Sequence, residues 1–471
     1  MAMYSGELID QNIRNIFSGA ADFNIRTLHC SNHVLHTYAI DGLTSGNNIS
    51  EYIIKPAVEN LRGATMEDLY HRALHGVVVN SVAKPCKTLD DAAVFLVNGF
   101  CVMLFEGVGA IAFEVKTGEK RSMSGPDLEH TAKGPKDSFV ETIRTNTSLI
   151  RRHLRTPDLR LWETKVGRRS LTNVAVVWVE GITNPEYVQR MQNRLNSIDI
   201  DGLLSPAAVE EYITGSRKTA FPLLQYTERT DRFCAGLLKG RVGVLVDGLP
   251  LGYLAPVNIG YLMDSPEDRT RDYISASWVR ILRYGALVVS LLLPAVYLAL
   301  VLHHPTMLPI HLKELIDANA VPFSPVWEIL GLLLAFELLQ ESGIHLPQSL
   351  GQSVSIIGGI VVGSAGVEAG LISSMALIIV STAGVCGFVL PNRDFAAAVR
   401  VWRFMLTIAA SVAGLIGIVV GACVLVTHLV KLQSLGVPYT ISYTPSVLQK
   451  RLVNEKYRDR HLKPNDKRCQ K

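Results

Sequence analysis

Residues 351–391, GQSVSIIGGIVVGSAGVEAGLISSMALIIVSTAGVCGFVLP, are apolar almost throughout, crowded with glycine, serine and alanine, and carry one formal charge, Glu368. About 20 consecutive apolar residues are enough to span a hydrocarbon core as a helix. A carboxylate set between two such runs is costly, so it either hides at an interface or serves something that passes by. This segment therefore commits the C-terminal part of the chain to helices in a bilayer, and it makes Glu368 the first residue to explain.

Three further runs extend the same reading. YGALVVSLLLPAVYLALVL, residues 284–302, is long enough to cross and follows Arg269, Arg271, Arg280 and Arg283, which place its N-terminal end inside by the positive-inside rule. Pro294 predicts a kink within it. Residues 323–342, FSPVWEILGLLLAFELLQES, set Glu328, Glu337 and Glu341 at helical spacings beside leucines and Phe336. That pattern fits an interfacial or re-entrant helix, or a spanning helix whose acidic stripe faces a polar interior; the short apolar length between the acids favours the first. Residues 351–367 and 371–390 read as a tight pair about Glu368, and 404–428 reads as a final span containing GLIGIVVGA. Charge then leaves a conflict, because Arg393, Arg400 and Arg403 precede that last run and a basic tail begins at Lys431. A single span between them cannot put both inside, although both termini inside is the expectation.

The first 280 or so residues read as an ordinary mixed globular protein. The chain of 471 residues has a formal net charge of +4, which alone implies no nucleic acid partner. The N-terminus, MAMYSGELIDQNIRNIF, lacks the basic region and apolar core of a secretory signal, so the front domain is expected on the cytoplasmic side. Seven cysteines without CxxC pairing suit small buried hydrophobes in a reducing compartment. The expected organisation is an α/β soluble N-terminal region followed by an α-helical integral membrane domain. Its parts are a mainly helical subdomain at 1–85, an α/β domain at 86–268, a membrane domain of four to five apolar segments at 269–435, and a basic, disordered tail at 436–471.

In the front region, SEYIIKPAVENLRG and TMEDLYHRALH read as helices. AAVFLVNGFCVMLFEGVGAIAFEV reads as short strands joined by tight turns at Asn98-Gly99 and at Glu106-Gly107-Val108-Gly109. EGVG lacks the lysine of a phosphate loop and the third glycine of a dinucleotide fingerprint. GPKDSFVETIRTNTSLIRRHL predicts a helix capped by Asp137 or Ser138, with Phe139, Ile143, Leu149 and Ile150 inward and Arg144, Arg151 and Arg152 on the polar side. Together with Arg155, Arg160, Lys165, Arg168 and Arg169 these arginines form a basic belt, of which Arg144, Arg151, Arg152 and Arg155 are the candidates for contact. The belt is a solvated face, or a contact with anionic headgroups or an acidic partner subunit; few aromatics interleave to stack on bases, which disfavours nucleic acid. Asn184-Pro185 predicts a helix start after the strand in TNVAVVWV, and RVGVLVDGLPLGYLAPV predicts a strand pair around Asp247-Gly248. No set of acids, histidines and serines falls at catalytic spacing, and no metal or cofactor site is expected.

Within the membrane part, Gly358, Gly359, Gly363 and Ser364 let helices approach closely, since association in a bilayer depends on packing. Glu368 is then either an interfacial residue capping the next helix or an ion contact.

Five stretches occurring in order resemble one family, the GerA-type A subunits of the spore germinant receptors of endospore-forming bacteria. They are GPKDSFVETIRTNTSLIRRHL, YTERTDRFCAGLLKGRVGVLVDGLP, SPEDRTRDYISASWVRILRY, ELLQESGIHLPQSLGQSVSIIGGIVVGSAGVEAGLISS and RVWRFM. The resemblance covers about residues 85–435 and implies a multi-pass protein of the spore inner membrane, with its N-terminal domain on the core side. It implies as partners a transporter-like B subunit, regarded as the germinant sensor, and a lipoprotein C subunit. It also implies homo-oligomers that form a cation-conducting path. The competing readings are a solute transporter, disfavoured because no internal repeat is visible, and a non-conducting scaffold. An intramembrane hydrolase is disfavoured, since GQSVS does not supply a nucleophile motif with a partnered histidine.

Overall fold

The computed structural model describes residues 4, 6–117, 126, 129, 134–215, 219–307, 321–345, 363 and 365–440. These form two compact units, one of residues up to 215 with 224–256, the other of 219–223 with 257–440.

The first unit contains two five-stranded antiparallel sheets. In the first sheet β1 (Phe23–Cys30), β2 (His33–Ile40), β3 (Ala83–Cys86), β4 (Phe100–Phe105) and β5 (Gly109–Glu114) lie in the order β1-β2-β4-β5-β3. The EGVG turn is where the sequence puts it: Phe105 pairs with Gly109 and Gly107 has φ 81°, a conformation glycine adopts without a Cβ clash. AAVFLV, however, is not a strand. It belongs to a helix, Leu89–Val97, closed by a capping box in which Asp91 N–H donates to Thr88 Oγ1 and Thr88 N–H to the Asp91 carboxylate, both at 3.1 Å. Leu89, Ala92, Ala93, Leu96 and Val97 are its buried face, at helical spacing. Asn98-Gly99 ends this helix, with Gly99 at φ 81°. One face of the sheet packs on this helix and on Asp10–Ile16 through Phe17, Ile40, Val102 and Leu104. The other packs on short helices at Lys55–Asn60 and Met66–Arg72 through Leu69, Met103, Phe105 and Phe113.

The second sheet holds β6 (Leu159–Val166), β7 (Thr172–Val179), β8 (Gln225–Thr227), β9 (Val242–Val246) and β10 (Gly252–Ala255) in the order β6-β7-β9-β10-β8. The β9–β10 pair and the helix Pro185–Asn196, whose Asn184 side chain accepts from Glu186 N–H at 3.0 Å, match the sequence expectation. Gly243 and Gly252 make room for the Phe233 ring of the helix Thr230–Leu238: a Cβ would stand 2.2 and 2.6 Å from it. The helix over IRTNTSLIRRH begins at Ile143, not at Asp137 or Ser138. The preceding chain stays extended because Val140 N–H donates to Asn146 Oδ1 at 2.8 Å and Asn146 Nδ2 to the Val140 carbonyl at 2.6 Å.

The second unit is helical. Its main elements are α1 (Tyr273–His303), α2 (Pro325–His345), α3 (Ser374–Phe388) and α4 (Arg393–Lys431). α1, 31 residues and so about 46 Å long, continues through Pro294. α4 is not one rod. Ala413 (φ −128°, ψ 15°) and Gly414 (φ 59°, ψ −137°) leave helical geometry, and the chain reverses there. The rings of Trp402 and His428 come within 5.7 Å, and Cβ atoms built on Gly417 and Gly421 would meet the Ala409 carbonyl and Leu406. In a straight helix residues 402 and 428 would stand about 39 Å apart. α4 is therefore a helical hairpin with arms 393–412 and 415–431, about 30 and 26 Å long. The single span expected over 404–428 is corrected to two antiparallel arms, which brings Arg393 and Lys431 to the same end. This removes the charge conflict. The tip rests on the C-terminal end of α1, where His303 Nε2 lies 3.1 Å from the Ser411 carbonyl. By length and composition α1 is long and apolar enough to cross a membrane, and so is the 39-residue run of α4 that the reversal at Ala413-Gly414 divides into two arms. Ala295 and Ala299 pack on Leu406, Ala410 and Ile418, and Leu298 packs on Ile329, Leu333 and Val380.

Candidate functional site

Glu368 ends the short helix Gly366–Glu368 and is exposed. Gly370, at φ 64°, and Leu371–Ser373 then lead into α3. The cap of α3 is made by other residues. Ser373 Oγ accepts from Ala376 N–H at 3.2 Å, and Ser373 N–H donates to the Glu328 carboxylate. Glu368 is thus relieved of the capping role that was the alternative to an ion contact, and its carboxylate faces outward beside the start of α3. Gly363 is buried, and a Cβ there would meet Leu377 at 3.4 Å, already the edge of contact. Gly358, Gly359 and Ser364 lie outside the described residues.

The acidic stripe of α2 divides. Glu328 is 6% exposed and occupied at the α3 N-terminus, where a carboxylate complements the free N–H groups and the helix dipole. Glu337 Oε1 accepts from Arg400 Nε at 3.1 Å, on the first arm of α4. Glu341 is exposed. Two of the three acids therefore contact neighbouring helices, and the third is exposed.

At the start of α1, Arg280 and Arg283, which the sequence reads as charges flanking the first span, are buried. Arg283 donates to both Asp268 oxygens at 2.9 and 3.1 Å and to the Met263 carbonyl at 2.7 Å; Arg280 lies 3.4 Å from Asp268 and 3.5 Å from Asp264. SPEDR carries this signal in the sequence, because Asp268 also closes a capping box with Ser265.

The basic belt also divides. Arg151 is 1% exposed and forms a bidentate pair with Asp22, also 1% exposed: Nε to Oδ2 and Nη2 to Oδ1, each 2.8 Å. It joins the helix below the second sheet to the edge of the first sheet, beside a backbone bond from Ala21 N–H to the Leu161 carbonyl at 2.9 Å. A guanidinium so enclosed is not available to a headgroup or partner, and the helical periodicity that placed it outward is overridden by one carboxylate distant in sequence. Arg144 remains 45% exposed while pairing with Glu163 at 2.7 Å, and Arg155 is exposed, next to a half-buried Arg152. Burial pushes the thiols of Cys86 and Cys101 up to about 12, which leaves both protonated and inert at neutral pH. Among the described residues no group of three His, Cys, Asp or Glu side chains is placed to hold a metal.

An α/β front unit, a helical unit with two long apolar helices, one of them folded into a hairpin, and an exposed carboxylate at a helix end define a two-part protein, α/β in front and helical behind. The profile of the family described as Bacillus/Clostridium GerA spore germination protein matches residues 11–465, and the chain belongs to this family. It is 35% identical over 401 residues to spore germination protein A1 of Bacillus subtilis (strain 168), covering 84% of this chain and 82% of that one. It is 32% identical over 440 residues to the membrane protein YfkQ of the same organism, covering 92% and 85%. The crystal structure of the N-terminal domain of the A subunit of the Bacillus megaterium spore germinant receptor GerK3 aligns with a TM-score of 0.41 at 25% identity, covering 54% of this chain and 96% of that one.

Proposed function

We propose that this protein is an A subunit of a spore germinant receptor in the spore inner membrane, with its front unit on the core side, working with a transporter-like B subunit and a lipoprotein C subunit. In this reading copies of the chain assemble through the small-residue segment that contains Gly358, Gly359, Gly363 and Ser364. The assembly gathers the Glu368 carboxylates near one mouth of a cation-conducting path. The observation that carries the function is family membership across almost the whole chain, joined to its division into an α/β unit and a helical unit. For the path, the support is electrostatic: Glu368 is exposed while Ser373 and Glu328 satisfy the adjacent helix, and a ring of carboxylates concentrates cations. Arg144, Arg152 and Arg155 are the belt residues left for contact with a partner subunit or headgroups.

Purified full chain in liposomes tests the reading. Cation flux without concentrative uptake supports it. Concentrative solute uptake makes the protein a transporter, and the absence of both leaves a scaffold for the other subunits.

A further inference from the structure

The face between α2 and the first arm of α4 carries an unfinished ionic contact. Glu337 spends one oxygen on Arg400, and its Oε2 is buried with no hydrogen-bond partner among the described residues. Arg403, three residues further along the same arm, is 2% exposed, and its Nε is likewise buried and without a partner among the described residues. Three residues of helix bring Arg400 and Arg403 onto one face, displaced along the axis by about 4.5 Å. Arginine keeps its charge under any condition a protein survives, and a buried guanidinium without an anion is strongly unfavourable. Among the described residues Glu337 is the carboxylate whose charge acts on Arg403, with the Arg400 charge beside it. The open acceptor and the open donor have complementary chemistry and lie within electrostatic reach of each other.

We propose that Glu337 is a shared carboxylate with two seats, Arg400 in the arrangement described here and Arg403 in a second one, and that α2 moves along the first hairpin arm by about one helical turn between them. Packed helices hold discrete arrangements more readily than a continuum of positions, which makes such a contact a two-position latch. Gln340, one turn along α2, also has a buried Oε1 without a partner among the described residues, and it is the neutral acceptor that the vacated space would offer to water or to Arg400.

A double-mutant cycle on the detergent-solubilised full chain, read as thermal midpoint and needing no transport activity, tests the latch. Arg403→Gln should shift the midpoint differently in the unmodified and Glu337→Gln chains, by about 2–4 °C, because the two side chains interact. In an Arg400→Gln background that difference should grow, since the carboxylate then has one seat. If Arg400→Gln does not yield folded protein, Arg400→Lys, which keeps the charge and loses the fork, takes its place. Additive shifts for Glu337 and Arg403 in every background overturn the proposal, as does a Glu337–Arg403 difference that is unchanged when Arg400 is altered.

Discussion

Replacing Asp22 by Ala removes the only carboxylate that meets Arg151 in the described structure and leaves a guanidinium enclosed at 1% exposure. Arg151 keeps one further bond, Nη1 to the Thr156 carbonyl at 3.4 Å, which is too long to compensate. Breaking a buried pair from one side costs about 3–5 kcal/mol. For a unit of this size each kcal/mol moves the midpoint by about 2–4 °C, so the front unit should melt roughly 6–20 °C earlier. Circular dichroism and limited proteolysis of the full chain would follow this, with new cleavage expected between the two sheets. Asp22→Leu combined with Arg151→Met removes both charges and should recover most of the loss, since a well-packed apolar pair often matches a buried ion pair. A single Asp22→Ala variant within about 1 kcal/mol of the unmodified protein, or a double variant no better than the single one, would refute the assignment of Arg151 to the interior.

Other outcomes follow from the same geometry. Gly414→Val should destabilise the helical unit by about 1–3 kcal/mol, because φ 59° and ψ −137° suit glycine and a Cβ would stand 3.0 Å from His303; thermal midpoints of the solubilised chain check it. Cysteines substituted at Arg393 and Lys431 should be labelled from the same side of sealed membranes, and one at Met307 from the other; opposite labelling of the first two would break the hairpin account. Cys86 and Cys101 should resist maleimide at neutral pH until the chain is unfolded. Their thiols are raised from an ordinary 9.0, so their contribution to stability is complete below about pH 9 and fades as pH climbs towards about 12, visible as an alkaline fall in midpoint that Cys86→Ala with Cys101→Ala reduces.

Much of the front unit is legible in the sequence because local chemistry decides it. Asn184-Pro185 starts a helix and Gly107 permits a turn wherever they occur in such a context. The run AAVFLV passes for a strand because six apolar residues carry no period, and the deciding feature, Thr88 with Asp91, lies just before it. Helical periodicity puts Arg151 outward beside Arg152; its partner is 129 residues away in sequence, and nothing local announces it. The hairpin in α4 is hidden for a similar reason. Ala413-Gly414 sits among other small residues that also serve close packing, and residues 404–428 carry no formal charge on either side of it, so composition continues smoothly across a reversal of direction. Glu368 is conspicuous as a lone charge, but only the three-dimensional arrangement shows that Ser373 and Glu328 take the neighbouring cap.

Whether the Glu368 carboxylate acts on passing cations, as proposed, is read most directly as cation flux through liposomes carrying equal amounts of the unmodified chain, its Glu368→Gln variant or its Glu368→Ala variant. Glutamine keeps size and hydrogen bonding and removes charge, so Glu368→Gln should leave protein level and assembly unchanged and lower the flux. Flux from Glu368→Gln equal to that of the unmodified protein, with only Glu368→Ala losing protein, would contradict the ion-path account and make Glu368 a structural residue at a helix end.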